Sequence, residues 1–204
     1  MLEVEAKYSP IVPSINKEHV MLTGARRLNW LGPSSEELFL DIYQKLMSFL
    51  EDGEEPLGDA LPIILYIMCP GGEISPTFAF YDLLNYILSP RPNIIAIGTG
   101  MVASAAVITL LSVPKEQRFL TPNTMIYLHQ SNAPIPDGAY SSTEVDGMNR
   151  SLKWGNTQYN EIIAYETGLS VRRIVSMRNK ESIITPSDAK RWGFVQDILP
   201  LKRP

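Results

Sequence analysis

Three short segments carry the residue types that acyl-transfer chemistry needs. Gly100-Met101-Val102-Ala103-Ser104-Ala105-Ala106 places a hydroxyl at the start of an apolar, small-residue helix. Ile126-Tyr127-Leu128-His129-Gln130 ends an apolar run on an imidazole. Cys69-Pro70-Gly71-Gly72 closes another apolar run with two glycines, which let a backbone approach a substrate closely and leave an N–H free for a developing oxyanion. Taken singly, each has a plainer explanation: Pro-Gly-Gly is a turn in most proteins, a serine among alanines usually packs helices, and a lone histidine at a strand end is usually structural. Their order and spacing along the chain lift them above those explanations, as candidates for a nucleophile, a base and an oxyanion donor.

The surrounding pattern explains how such groups would meet. Ile63 to Met68 is apolar without alternation and reads as a strand buried on both faces, stopped by Pro70-Gly71-Gly72. A helix over Thr77 to Leu88 follows, then a buried strand over Ile94 to Ile97, a helix over Ala103 to Leu111 and a strand over Met125 to Leu128. This alternation predicts an α/β fold, mainly a parallel sheet with helices on its faces. In such sheets reactive groups collect where strands end and helices begin. Upstream, His19 to Thr23 reads as a first strand and Pro33 to Glu37 as a helix start with Ser34 or Ser35 as cap. Leu38, Ile42, Leu46 and Phe49/Leu50 then form one apolar stripe, and Glu51 to Asp59 is a loop. Downstream, Ser131 to Ser142 is an excursion rich in Pro, Gly and Ser. A long helix over Glu144 to Thr167 ends at Gly168, Ser170 caps a helix through Met177, Pro186 starts another, and Phe194 to Leu199 is a closing strand.

Bulk properties set bounds. The 204 residues, 45% of them hydrophobic, suit one core. Residues 1–17, with Pro10 and Pro13 and no periodicity, read as a flexible N-terminal arm, and 18–204 as a single domain. A net charge of -4 gives no broad basic surface, so nucleic acid is not an expected partner. The single cysteine, Cys69, and two histidines, His19 and His129, offer no metal set, and no cofactor is expected. The longest apolar stretch, Met101 to Val113, falls short of a membrane span, and the acidic N-terminus does not read as a secretory signal.

The order and content of these segments resemble the ClpP family of serine peptidases. That family has S-P-G-G, I-Y-D, a G-x-A-A-S-M-G nucleophile turn, K-R-x-x-L-P-N and M-I-H-Q-P, in that order. Here stand Cys69-Pro70-Gly71-Gly72, Tyr81-Asp82, the Ser104 turn, Gln117-Arg118-Phe119-Leu120-Thr121-Pro122-Asn123 and Ile126 to Gln130, with no insertion or deletion between Ser104 and His129. Thr167-Gly168 and Thr185 to Asp197 extend the similarity, which spans about residues 20 to 199. The resemblance implies a ClpP/crotonase-like fold with a protruding strand-helix handle over about 131–168. It also implies a Ser104–His129–Glu181 triad, and an oxyanion hole from the Gly72 and Ala105 amides. As partners it implies like or related subunits in two stacked seven-membered rings, an AAA+ unfoldase and unfolded polypeptide, in a cytoplasm or plastid stroma.

The chain departs from the family pattern in several places. Glu181 stands where the family has aspartate, Asn179-Lys180 where it has E-R, Glu116-Gln117-Arg118 where it has G-K-R, and Ala106 and Pro114 where it has glycines. Pro134 and Pro136 interrupt the segment that the family uses as a glycine-rich channel strand, and proline removes a ladder donor there. Three other readings stay open: a catalytically silent structural subunit of a mixed ring, a crotonase-type enzyme that uses only the paired amides, and a cysteine peptidase built on Cys69.

Overall fold

The computed structural model describes residues 26–51, 62–131 and 139–200. The N-terminal arm, the strand read over His19 to Thr23, most of the acidic loop and the Pro134/Pro136 segment lie outside the described residues.

Strands β1 (Arg27–Leu31), β2 (Ile63–Cys69), β3 (Ile94–Ala103), β4 (Arg118–Leu120) and β7 (Asp197–Ile198) pair in that order, all in parallel. Strand β3 is the hinge of the topology. Ala96 to Gly98 pair with β4, whereas Met101 to Ala103 pair with β5 (Met125–Leu128), so one edge of one strand serves two neighbours in succession. Between Ile67↔Gly98 and Cys69↔Val102 the β3 side carries two extra residues, a bulge turned by Gly100 at φ 60°. The glycines at 98 and 100 suggest an end to the strand after Ile97. Instead the strand passes through them and runs to Ala103, because the bulge re-aims it toward β5. Strand β6 (Ser182–Ile184) then pairs antiparallel with β5.

The helices are α1 (Glu36–Glu51), α2 (Ile74–Asp82), which continues into a π turn over Leu83–Ile87, α3 (Ala106–Leu111), α4 (Ser142–Thr167), α5 (Val171–Asn179) and α6 (Pro186–Arg191). Side-chain caps start several of them. Ser35 Oγ accepts from Leu38 N, Ser170 Oγ from Arg173 N and Thr185 Oγ1 from Asp188 N, and Ser141 and Glu144 form a reciprocal capping box at α4. Left-handed Gly168 ends α4. Every helix contributes to one core, through Ile42 and Leu46, Phe80, Val107 to Leu111, Tyr159 and Ile163, Ile174 and Ala189. On the other side of the sheet Ile64, Ile95, Ile97 and Phe119 cluster with Tyr66 and Leu199, and no described helix joins them. The helices therefore gather on one face rather than both.

Helix α4 has 26 residues and spans roughly 40 Å at 1.5 Å per residue. Its first half is largely exposed, and its second half enters the core. There its last turn meets a buried cation. Arg118, fully buried, donates to the carbonyls of Val113 and Leu111 and to the Glu166 carbonyl, and pairs with the Glu166 carboxylate. Tyr81 Oη donates to the same carboxylate at 2.7 Å, and burial together with that carboxylate holds its phenol well above the ordinary value. The cluster joins β4, α2 and α4. Removing one charge of a buried pair strands the other. Glu166→Gln is therefore expected to destabilise the protein by about 3 kcal/mol, measured by chemical denaturation, far more than a substitution at the exposed Glu161.

Candidate active site

The end of β2 is fixed from one side. Ser34 N donates to Gly71 O at 2.7 Å and Glu73 N to Ser34 O at 2.9 Å, which makes Ser34 and Gly72 a parallel bridge. In such a pairing the amide of the bridged residue points to the opposite edge, here toward β3. The Gly72 N–H accordingly has no partner among the described residues. On the β3 side stands Ser104. A methyl group at Gly71, whose φ is 107°, would lie 2.7 Å from Ser104 Cβ and 3.3 Å from Ser104 Oγ, so the space a side chain would take is occupied by the serine.

Ser104 leaves β3 at φ 52°, a left-handed conformation that serine seldom adopts and that costs on the order of 1 kcal/mol. It sits in the turn between strand and helix, ahead of the first helical residue Ala106, rather than within the helix as its neighbours suggest. Its N–H donates to Tyr127 O at 2.9 Å, and its carbonyl accepts from Tyr159 Oη at 2.9 Å and from Val107 N at 3.0 Å. The Ala105 N–H, one residue on, has no partner among the described residues. Two open amides, Gly72 and Ala105, thus lie on the two backbones that meet at the Ser104 side chain.

His129 follows β5 directly. The register Leu128↔Ser182, continued by one residue, sets His129 opposite Glu181. The topology therefore brings Ser104, His129 and Glu181 to one corner of the sheet. Their side chains do not hydrogen-bond to one another. His129 Nδ1 is 2.6 Å from Gln130 O, and the Glu181 carboxylate accepts from Tyr127 Oη at 3.3 Å. Residues 127 and 129 share one face of the strand, with rings 5.3 Å apart, so a carboxylate that reaches that face meets the phenol as well as the imidazole. Slight burial and the Glu181 carboxylate both hold the Tyr127 phenol above its ordinary value. Glu181 is itself left-handed, at φ 50°, with its N–H donating to Arg178 O at 3.1 Å.

Cys69 is buried. Its sulfur lies 3.4 Å from both Gly71 N and Gly71 O, and desolvation pushes its thiol above the ordinary value. A buried, less acidic thiol is a poor nucleophile, which removes the cysteine-peptidase reading. Among the described residues no group of three His, Cys, Asp or Glu side chains could hold a metal, and no helix is long and apolar enough to cross a membrane.

Three residues of this corner escape the sequence reading: Tyr127, Tyr159 and Arg178. Tyr127 interrupts the M-I-H-Q pattern, a visible signal whose meaning depends on the β5–β6 pairing. Nothing in the sequence marks the other two.

A mainly parallel sheet with a serine turned out at a strand end, beside a histidine and two open amides, defines a hydrolase-type α/β fold. The comparisons give the family. The model described as Clp protease matches residues 17–202. The ATP-dependent Clp protease proteolytic subunit 2 of Treponema denticola is 30% identical over 85% of this chain and 81% of its own. The proteolytic subunit 1 of Thermobifida fusca is 33% identical over 69% and 61%. The solved structure of a point mutant of ClpP1 from Listeria monocytogenes superposes with a TM-score of 0.71 at 26% identity, covering 87% of this chain and 92% of that one. The chain belongs to the Clp protease family, whose subunits form oligomeric rings, and it has the fold of a ClpP-like serine peptidase subunit.

Because Ser104 occupies the space in front of Gly71, Gly71→Ala is expected to shift the Ser104 turn. Its reaction with a fluorophosphonate should slow on the order of a hundredfold, measured by labelling rate, with the far-ultraviolet circular dichroism unchanged.

Proposed function

We propose that the chain is an active serine endopeptidase subunit that cleaves unfolded polypeptide. The observation that carries this reading is the pair of unpartnered amides, Gly72 and Ala105, converging on a serine held in a left-handed turn. Ser104 Oγ attacks a peptide carbonyl while His129 Nε2 takes its proton, and the Gly72 and Ala105 N–H groups receive the oxyanion. The proton then passes from the imidazole to the leaving amine as the C–N bond breaks. Water, deprotonated by the same imidazole, releases the acyl group and returns Ser104. Glu181 orients the imidazole and offsets its charge.

For this to occur the His129 Nδ1–H exchanges the Gln130 carbonyl for the Glu181 carboxylate, which in turn leaves Tyr127. His129 is half-buried and Glu181 exposed, so both changes are rotamer steps of side chains that are free to move. Hydrogen bonds in unliganded sites commonly tighten only around substrate. The setting is a chamber of two stacked seven-membered rings of this or related subunits, in a cytoplasm or plastid stroma. An AAA+ unfoldase, implied by the family resemblance, supplies substrate, and any ATP use belongs to that partner, since this sequence has no Gly-rich lysine loop for a nucleotide.

The rival reading, a silent structural subunit, draws on the same two bonds, Nδ1 to Gln130 and Tyr127 to Glu181, which occupy the imidazole and the carboxylate with other partners. The assembled particle treated with a fluorophosphonate distinguishes the two. Labelling at Ser104, abolished in Ser104→Ala, is expected; an unlabelled particle of full mass identifies a scaffold. Glu181→Gln, which preserves size but not charge, should lower kcat by about 10³- to 10⁴-fold in peptide hydrolysis.

A further inference from the structure

Arg178 is 5% exposed, and no carboxylate pairs with it among the described residues. All its acceptors are neutral. Nε donates to His129 O at 3.2 Å, Nη1 to Asn160 Oδ1 at 2.8 Å, and Nη2 to Ser131 Oγ at 3.0 Å and Asn156 Oδ1 at 2.6 Å, while the guanidinium lies 4.7 Å above the Tyr159 ring. A buried cation without a counterion is a weak way to gain stability, since its desolvation is only partly offset by neutral dipoles. What it does provide is geometry, because a planar fork with five donors holds several acceptors in fixed relation.

One of those acceptors is the main chain at His129, and the others are side chains that flank it. His129 O and Ser131 Oγ bracket Gln130, the residue whose carbonyl holds the imidazole Nδ1. Tyr159, stacked under the guanidinium, donates to Ser104 O. The carbonyl of Arg178 itself accepts from the Glu181 amide. The Arg178 side chain therefore reaches the backbone of His129 directly and that of Ser104 through Tyr159, and ties both to α4 through Asn156 and Asn160.

Resting on the peptidase reading above, we infer that Arg178 is a positioning residue for the reaction, fixing the backbone that carries His129 and, through Tyr159, that of Ser104. It touches neither substrate nor the reacting atoms. Its loss misaligns the base and the nucleophile while the surface that binds peptide stays in place.

The test uses the assembled particle and a short fluorogenic peptide, with fluorophosphonate labelling of Ser104 as a second readout. Arg178→Lys keeps a charge without the fork, and Arg178→Met keeps volume without charge. Each is expected to lower kcat and the labelling rate by about tenfold or more, with KM unchanged. Tyr159→Phe keeps the ring under the guanidinium and removes only the bond to Ser104 O; it should lower kcat by about threefold or more and supplies the answer if the Arg178 variants do not assemble. A residue that merely supported the fold would change the melting temperature and leave kcat per assembled particle alone. Wild-type rates in the Arg178 variants, or in Tyr159→Phe should those fail to assemble, overturn the inference while the peptidase reading stands. An unmodified particle that does not react at Ser104 overturns both.

Discussion

The structure depends on how β3 ends. The hydrogen bond from Ser104 N to Tyr127 O is the last rung of the β3–β5 ladder, and after it the chain reverses hand. That rung ties the serine to the strand that delivers the histidine two residues later. The antiparallel pairing of β5 with β6 then brings in the acid. Three residues far apart in sequence come to one corner of the sheet, their side chains not bonded to one another, because one strand exchanges its neighbour midway along its length, and the bulge at Gly100 makes the exchange possible.

The same corner explains where polar groups were placed at energetic cost. The described part of the domain buries two arginines by different rules. Arg118 has a carboxylate partner and backbone carbonyls around it, an arrangement that fastens α4 and α2 to the sheet. Among the described residues Arg178 has only neutral partners, and it lies close to the site.

Much of this was legible in the residues. The apolar runs at Ile63 and Ile94, the Ser and Thr caps and Gly168 carry their own physical signals, so the parallel sheet followed from them, whereas the grouping of Ser104, His129 and Glu181 rested on the family resemblance. Strand β1 was not legible, since Arg27, Asn29 and Leu31 face outward and only Leu28 and Trp30 are buried, too short an alternation beside charged neighbours. Strands β4 and β6 have three residues each and exist through their pairing, not their propensity. The closing strand shrinks from Phe194–Leu199 to Asp197–Ile198 because Phe194 and Val195 instead close the end of α6, donating to Ala189 O. Tyr127, Tyr159 and Arg178 matter through tertiary neighbours, which no linear pattern encodes.

Helix α4 has a consequence of its own. From Ser142 to about Trp154 it has little to lean on within the subunit, and Val145, Met148 and Trp154 are exposed to solvent. An unsupported helix of that length is marginal in water, whatever its cap. In a family whose subunits form rings, that exposed apolar stretch is a surface a neighbouring subunit could cover. Were a neighbouring subunit to cover it, the order of α4 would rise with subunit concentration, and Asn156 and Asn160 would carry that change to the guanidinium they hold.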